Sequence, residues 1–323
     1  MMRNKLRKIA FLLLGSTIRA RFRLRRIGKG NYLTILNLHR VCCDDGSSYK
    51  PLEPQIFEAL LRYLVENYSL ITFKDLENNK PNTLKENPLL IISFDDGYKD
   101  FIEVAVPLLL KYKIKVNQNI IPDCVDSGRP PLNVAVQDFI GKSSNSQLMA
   151  LSIPGFNVAA DINNRFLLGL RVSKFFKSRQ MSEQIELKKH ILSQLDSFSD
   201  FKMTPMMNLS DIKQLIDLHE FGAHSYTHAS MAFETDGYVK NDLKDCKDWF
   251  HNRLNYSVGI YAFPNGSYKD HHIKFVLEAG YKHILLVDDI FSSEDVSIHK
   301  RFGFHADSVS EMRFRVSGGF CKT

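Results

Sequence analysis

The chain has 323 residues, 44% hydrophobic and 24% charged, enough for a large core in one or two domains. Its formal charge of +7 would suit a nucleic-acid partner, but residues 1–29 carry ten Lys or Arg and no acid, so removing that arm leaves the body near −3, and no charged folded face is implied. Five cysteines, an odd number without a Cys-x-x-Cys pair, argue against a disulfide framework or a cysteine zinc site and read as reduced thiols.

In chain order, the basic arm comes first. Its apolar run Ile9–Leu14 stops at Gly15, short of the about 7–15 residues of a secretory core and of the roughly 20 of a spanning helix. Cations alternate with apolar residues over Arg19–Arg26, which suits an anionic membrane surface; a solvated basic tail is the competing reading. From residue 32 short apolar runs alternate with helical periodicity. Tyr32–Leu38 predicts a buried strand ending at His39, and Pro54 opens a helix with Phe57, Leu60, Leu61 and Leu64 on one face. Ser69–Phe73, Leu89–Phe94 and Ile114–Ile121 predict strands, with a helix over Phe101–Leu110.

Residues 123–205 break this rhythm with several prolines and two long helical stretches, near 161–177 and 182–196, and read as an insertion, either a wall or lid over a substrate groove or a surface decoration or oligomer contact. The alternation then resumes: a helix near 209–217, a strand into His224, a helix near 238–254, a strand over Ser257–Phe263, a helix ending at Gly280, and strands over Tyr281–Val287 and Lys300–His305. Such alternation implies a mainly parallel sheet, whose functional residues gather at the C-terminal ends of its strands.

Three motifs sit at those ends. Ser93-Phe-Asp-Asp-Gly97 places two carboxylates after an apolar strand; their side chains diverge, so Asp95 and Asp96 can serve different tasks, though a helix cap would explain the motif equally well. His224-Ser-Tyr-Thr-His228 can present two imidazoles to one side of a turn. Tyr261-Ala-Phe-Pro-Asn-Gly-Ser-Tyr268 is a strand ending in a Pro-x-Gly turn, whose backbone N–H groups can face a developing oxyanion. No Gly-x-Ser-x-Gly elbow supports a serine hydrolase.

Together and in this order the motifs resemble those of the polysaccharide deacetylase family, the NodB homology domain of carbohydrate esterase family 4 type, over about residues 32–305 apart from the insertion. The resemblance implies a distorted or partial (β/α) barrel: a basic arm over 1–30, then a catalytic domain over 31–323 with a helical insertion at about 123–205. It implies a divalent metal, with zinc the expected ion, held by Asp96, His224 and His228; Asp95 as general base; and the backbone N–H of Asn265 at the oxyanion. Pro264, Gly266, Tyr268 and His39 are candidate substrate contacts.

Two family features are absent. Ala262 stands where many members carry an arginine that orients the base, which makes Arg301 the candidate cation. The family's late Leu-His acid has no clear counterpart; Ile298-His299 and Phe304-His305 are candidates, with His305 preferred because it follows an apparent strand. The implied reaction removes an N-acetyl group from an amino sugar of a polysaccharide, glycolipid or lipid-linked glycan; the alternatives are a non-sugar amide substrate and a non-catalytic glycan-binding homologue. With no export signal visible, the expected location is cytoplasmic, peripheral at the inner membrane face through residues 1–29, with export as the alternative.

Overall fold

The computed structural model describes residues 2–30, 32–78, 87–293, 297–319 and 321. Nine strands form one sheet: β1 (Tyr32–Leu38), β2 (Ser69–Leu70), β3 (Leu89–Phe94), β4 (Asn117–Ile120), β5 (Glu220–Ala223), β6 (Ile260–Ala262), β7 (His283–Val287), β8 (Ser292–Ser293) and β9 (Ile298–Gly303). Seven of them, in the order β1-β3-β4-β5-β6-β7-β9, are parallel and close on themselves, because β9 returns to β1 at Leu36–Phe302 and Asn37–Gly303. The two-residue strands β2 and β8 extend the N-terminal ends of β3 and β1. The fold is thus a (β/α) barrel of seven strands, which abolishes free edges.

Strand alternation decides what the barrel holds. On β1 and β3, Leu36, Leu38, Leu90, Ile92 and Phe94 join the helix-facing core, while Leu33, Ile35, Leu89 and Ile91 join Ile260, Ala262 and Leu285 in a separate cluster. The register pairs Ile35 with Ile91 and then Asn37 with Ser93, so the same face becomes polar toward the C-terminal end. Outside, the helix Pro54–Asn67 starts with proline, whose fixed φ suits a first turn, and buries Phe57, Leu60, Leu61 and Leu64. Replacing one such leucine with alanine costs about 2–5 kcal/mol.

Several strands are shorter than predicted: β4, β6 and β9 stop before Ile121, Phe263 and His305, where the chain leaves the ladder for loops or turns. The insertion between β4 and β5 contains the predicted helices, as Arg165–Lys177 and Met181–Asp196, and also Leu132–Lys142, which the sequence reading missed. There Pro131 stands at the N-cap, where a missing N–H costs nothing, and so starts a helix instead of breaking the chain. These helices share a second apolar cluster around Phe139, Leu168, Phe176 and Ile191.

The basic arm is not a solvated tail. Helices Met2–Leu14 and Thr17–Lys29 lie against the last helix, Val309–Val316, through buried Phe11, Ala20, Leu24 and Ile27, with Phe11 5.6 Å from Phe314. At their turn, Gly15 approaches so closely that a Cβ would fall 1.9 Å from the Ser310 carbonyl oxygen. Among the described residues no helix is long and apolar enough to cross a membrane.

Candidate active site

The C-terminal end of the barrel opens into a cavity of about 310 Å³. Asp95 leaves β3 with its N–H bonded to the Leu38 carbonyl, and Asp96 (φ +78°) and Gly97 (φ +85°) then turn the chain through left-handed backbone. Glycine is required at 97 both for that φ and because a Cβ would come within 3.1 Å of Ile120. The two carboxylates diverge, and their partners differ.

Asp95 is met by Arg301, which is fully buried and donates through both terminal nitrogens, at 2.8 and 2.9 Å, to the two carboxylate oxygens. Asn119 adds a third donor at 2.7 Å. Arg301 is itself fixed by Asn37, Ser93 and the Leu286 carbonyl. Burial pushes the Asp95 pKa up, but Arg301 and His224 outweigh it and hold the group far below the usual carboxylate range. Asp95 therefore stays ionised and its orientation is locked.

Asp96 has the opposite character. Its Oδ1 is buried without a hydrogen-bond partner, yet lies 3.4 Å from His224 Nε2 and 3.3 Å from His228 Nε2. His224 Nδ1 sits 2.9 Å from the Ala262 carbonyl, which can only accept, so the proton is on Nδ1 and the Nε2 lone pair faces Asp96. Two imidazole nitrogens and one carboxylate oxygen brought this close together could hold a divalent metal with open positions. Burial disfavours charge on both rings; Asp95 and Asp96 outweigh it at His224 and raise its pKa, whereas His228 lies near His224 and Lys177 and stays below its usual value.

The histidine loop is held from behind by Asp242, from the helix Asp236–Leu254. Its carboxylate accepts from the Ser225 hydroxyl (2.8 Å), the Tyr226 N–H (2.9 Å) and the Tyr261 hydroxyl (3.1 Å), and burial raises its pKa to about 6. Ser225 is thus a turn residue, with its hydroxyl also accepting from the Ala229 N–H.

Asn265 lines the cavity with a left-handed backbone (φ +60°) and donates from Nδ2 to Ser230. His39 and Tyr49 line it from the first βα loop, their rings edge-on at 6.2 Å. Pro264 is buried; Gly266 and Tyr268 are not among the lining residues, and Tyr268 stacks on Phe263 at 5.0 Å. The expectation for His305 is corrected: it lies beyond the end of β9, outside this cavity and part-exposed, with Nε2 3.4 Å from Asp307. His299 is buried beside His283, also away from the cavity.

Sequence reasoning missed Asn119 and Asp242; the insertion does wall the cavity, through Asn133, Gln137, Ser173 and Lys177, though these residues were not singled out. Asp242 had a legible signal, since it shares the helical stripe of Val239, Leu243 and Cys246. Among the described residues one further group, Asp236, His271 and His272, has metal-like spacing. There His272 Nδ1 accepts from the Lys269 N–H at 3.3 Å, so its proton is on Nε2, which faces Asp236 at 3.5 Å and offers no lone pair.

The comparisons with known proteins agree with this geometry. The polysaccharide deacetylase family profile matches residues 206–284, the segment with the histidine motif and the Pro-x-Gly turn. No curated protein matches the chain in sequence. Among solved structures, the chain is similar to the deacetylase PplD of Streptococcus pyogenes in complex with acetate (16% identity, TM-score 0.57, covering 88% of this chain and 98% of that one). It is also similar to IcaB from Ammonifex degensii (15%, 0.56, 89% and 98%) and to BC0361, a polysaccharide deacetylase from Bacillus cereus (17%, 0.56, 89% and 69%). The matched segment and the barrel are what this chain shares with proteins of the polysaccharide deacetylase type. The chain carries that family's sequence signature over residues 206–284 and its barrel over most of its length.

Proposed function

We propose that the protein removes the N-acetyl group from an amino sugar of a glycan or glycan precursor, with a divalent cation, zinc being expected, held by Asp96, His224 and His228. The observation that carries this reading is the buried, partnerless Asp96 oxygen with two imidazole nitrogens at 3.3 and 3.4 Å. A cation there supplies Lewis acidity to the amide carbonyl and acidifies water.

The chain's own groups do the rest. Asp95, clamped by Arg301 and Asn119, accepts the proton of the attacking water. Its lowered pKa keeps it ionised, with a lone pair available to accept. The turn at Asn265 offers its backbone N–H to the oxyanion as the carbonyl becomes tetrahedral. The leaving amine needs a proton, and His39 is the cavity-lining imidazole outside the ligand trio, so it takes the role that His305 is too remote to fill. Asn133, Gln137 and Ser173 give the wall hydrogen-bonding groups suited to sugar hydroxyls.

Full-length protein, stripped of metal and reloaded, should hold about one divalent ion per chain by elemental analysis and release acetate from acetylated chito-oligosaccharides. Asp95→Asn should keep the metal and lose roughly 10²–10⁴-fold in kcat. Bound metal without acetate release would move the reading to a non-sugar amide, and neither metal nor acetate would leave a non-catalytic glycan binder.

A further inference from the structure

Among the described residues, apolar side chains on the outer face of the N-terminal helical hairpin are left exposed. Of the seventeen exposed large apolar side chains among the described residues, five fall between residues 9 and 22: Ile9, Leu12, Leu13, Ile18 and Phe22. Ile18, at 82% exposure, and Phe22, at 65%, stand one helical turn apart, on the side of their helix opposite the buried Ala20, Leu24 and Ile27. Ile9, Leu12 and Leu13 have the same i, i+3, i+4 spacing on the first helix. The body-facing side of the hairpin is already satisfied, so these residues are not waiting for the barrel.

Charge identifies the occupant. Arg19, Arg21, Arg25, Arg26 and Lys29 are exposed on the second helix, and among the described residues none of them takes part in an ion pair. Arg7 and Arg23 are used differently: Arg7 pairs with Glu311 and Asp307, and Arg23 donates to Ser317 and the Leu14 carbonyl, fixing the hairpin to the last helix. A folded face with apolar side chains pointing outward among unpaired cations, with no acid, matches the acyl–headgroup boundary of an anionic bilayer. A nucleic acid would use the cations and leave Phe22, Leu12 and Leu13 without a purpose. Each helix has thirteen residues, about 20 Å at 1.5 Å per residue, so the hairpin lies on the surface and does not span it.

We propose that this hairpin is a membrane-docking surface that seats the enzyme on anionic lipid. It is pinned to the body at Arg7–Asp307 and Arg7–Glu311.

The test is co-sedimentation of the full-length protein with vesicles of phosphatidylcholine alone or with one-quarter phosphatidylglycerol. Binding should require the anionic lipid. It should weaken about fivefold for each of Arg25→Gln and Arg26→Gln, and by at least about tenfold for Leu12→Glu combined with Phe22→Glu. All these side chains are exposed, so melting temperatures should not move; the arginine variants carry the test should the double glutamate variant fail to fold. Equal binding to neutral vesicles, no binding to either, or unchanged binding of Leu12→Glu/Phe22→Glu would overturn the proposal. So would duplex DNA that binds as tightly and depends on the arginines alone. Asp95→Asn should dock like the parent protein, so failure of the deacetylase reading would not mimic failure of this one.

Discussion

The two ends of the barrel both bury a pair of histidines beside a carboxylate, yet of these two pairs only the one at the C-terminal end has, among the described residues, the spacing of a metal-ligand group. At the C-terminal end, the Nε2 atoms of His224 and His228 converge on an Asp96 oxygen that receives no hydrogen bond. At the N-terminal end, His283 Nδ1 is 2.9 Å from His299 Nε2, His299 Nδ1 is 3.3 Å from the Ser292 hydroxyl, and Glu77 is 3.3 Å from His283 Nε2. There the two rings are hydrogen-bonded to each other, both nitrogens of His299 are engaged, and Phe73 packs on both rings. What separates the two groups is whether the ring nitrogens converge on one carboxylate oxygen or on each other, not the residue types or their burial.

The sharpest way to break this comparison is to exchange the ends' roles by mutation. His228→Ala should lower metal affinity by more than about 10²-fold, beyond the loss typical of a partner that only orients a ligand, and remove turnover. His299→Gln should leave metal content unchanged. Elemental analysis of both proteins decides it: metal loss in the second, or retention in the first, would collapse the distinction.

Next in size is Arg301→Met. Removing one member of a buried ion pair leaves Asp95 charged and uncompensated, with an expected loss of about 3–5 kcal/mol in urea denaturation and a disordered base. Asp95→Asn in the same chain should recover part of that stability, because the stranded charge is gone, while activity stays lost.

The smallest effects sharpen the contrast through pH. Burial, and then His283, press the His299 pKa down to about 3, so between there and about 6.5 the unfolded chain binds a proton that the folded chain refuses; this contribution is present above pH 6.5 and fades as pH falls. Asp242 behaves oppositely: burial lifts it to about 6, so the folded chain keeps a proton that the unfolded chain sheds near 3.8, and stability falls as pH rises across that interval. Relative to the parent, His299→Gln should therefore remove a rising slope and Asp242→Asn a falling one, each at most about 1.4 kcal/mol per pH unit. Slope changes of the same sign in melts between pH 4 and 6.5 would refute one of the two assignments.

Much of the barrel was legible in the sequence because its strands are short apolar runs ending in turn residues, and the strand-end rule pointed to Asp95, Asp96, His224 and His228 before any coordinates. Other features depend on tertiary context. Asn119 lies in a strand that was expected, but nothing in the polar string Asn117-Gln-Asn119 says which side chain faces the site until the contact with Ser93 is known. His305 was misread through register: Arg301 and Gly303 alternate along β9, and position 305 would continue their face only if the strand ran on, but it stops at Gly303. That the insertion could wall the cavity was legible from its place beside the motifs, but not which residues would face inward, because its docking is set by its second apolar cluster and not by any motif.

The Asp95–Arg301 contact joins residues 206 positions apart and crosses β9, β1 and β3, where the ring of strands is sealed. The arginine reaches the carboxylate only when the last strand has found the first. A partly assembled chain would therefore possess both halves of the aspartate motif and still lack an aligned proton acceptor, so hydrolytic competence is conferred by completion of the cylinder and not by any of its parts.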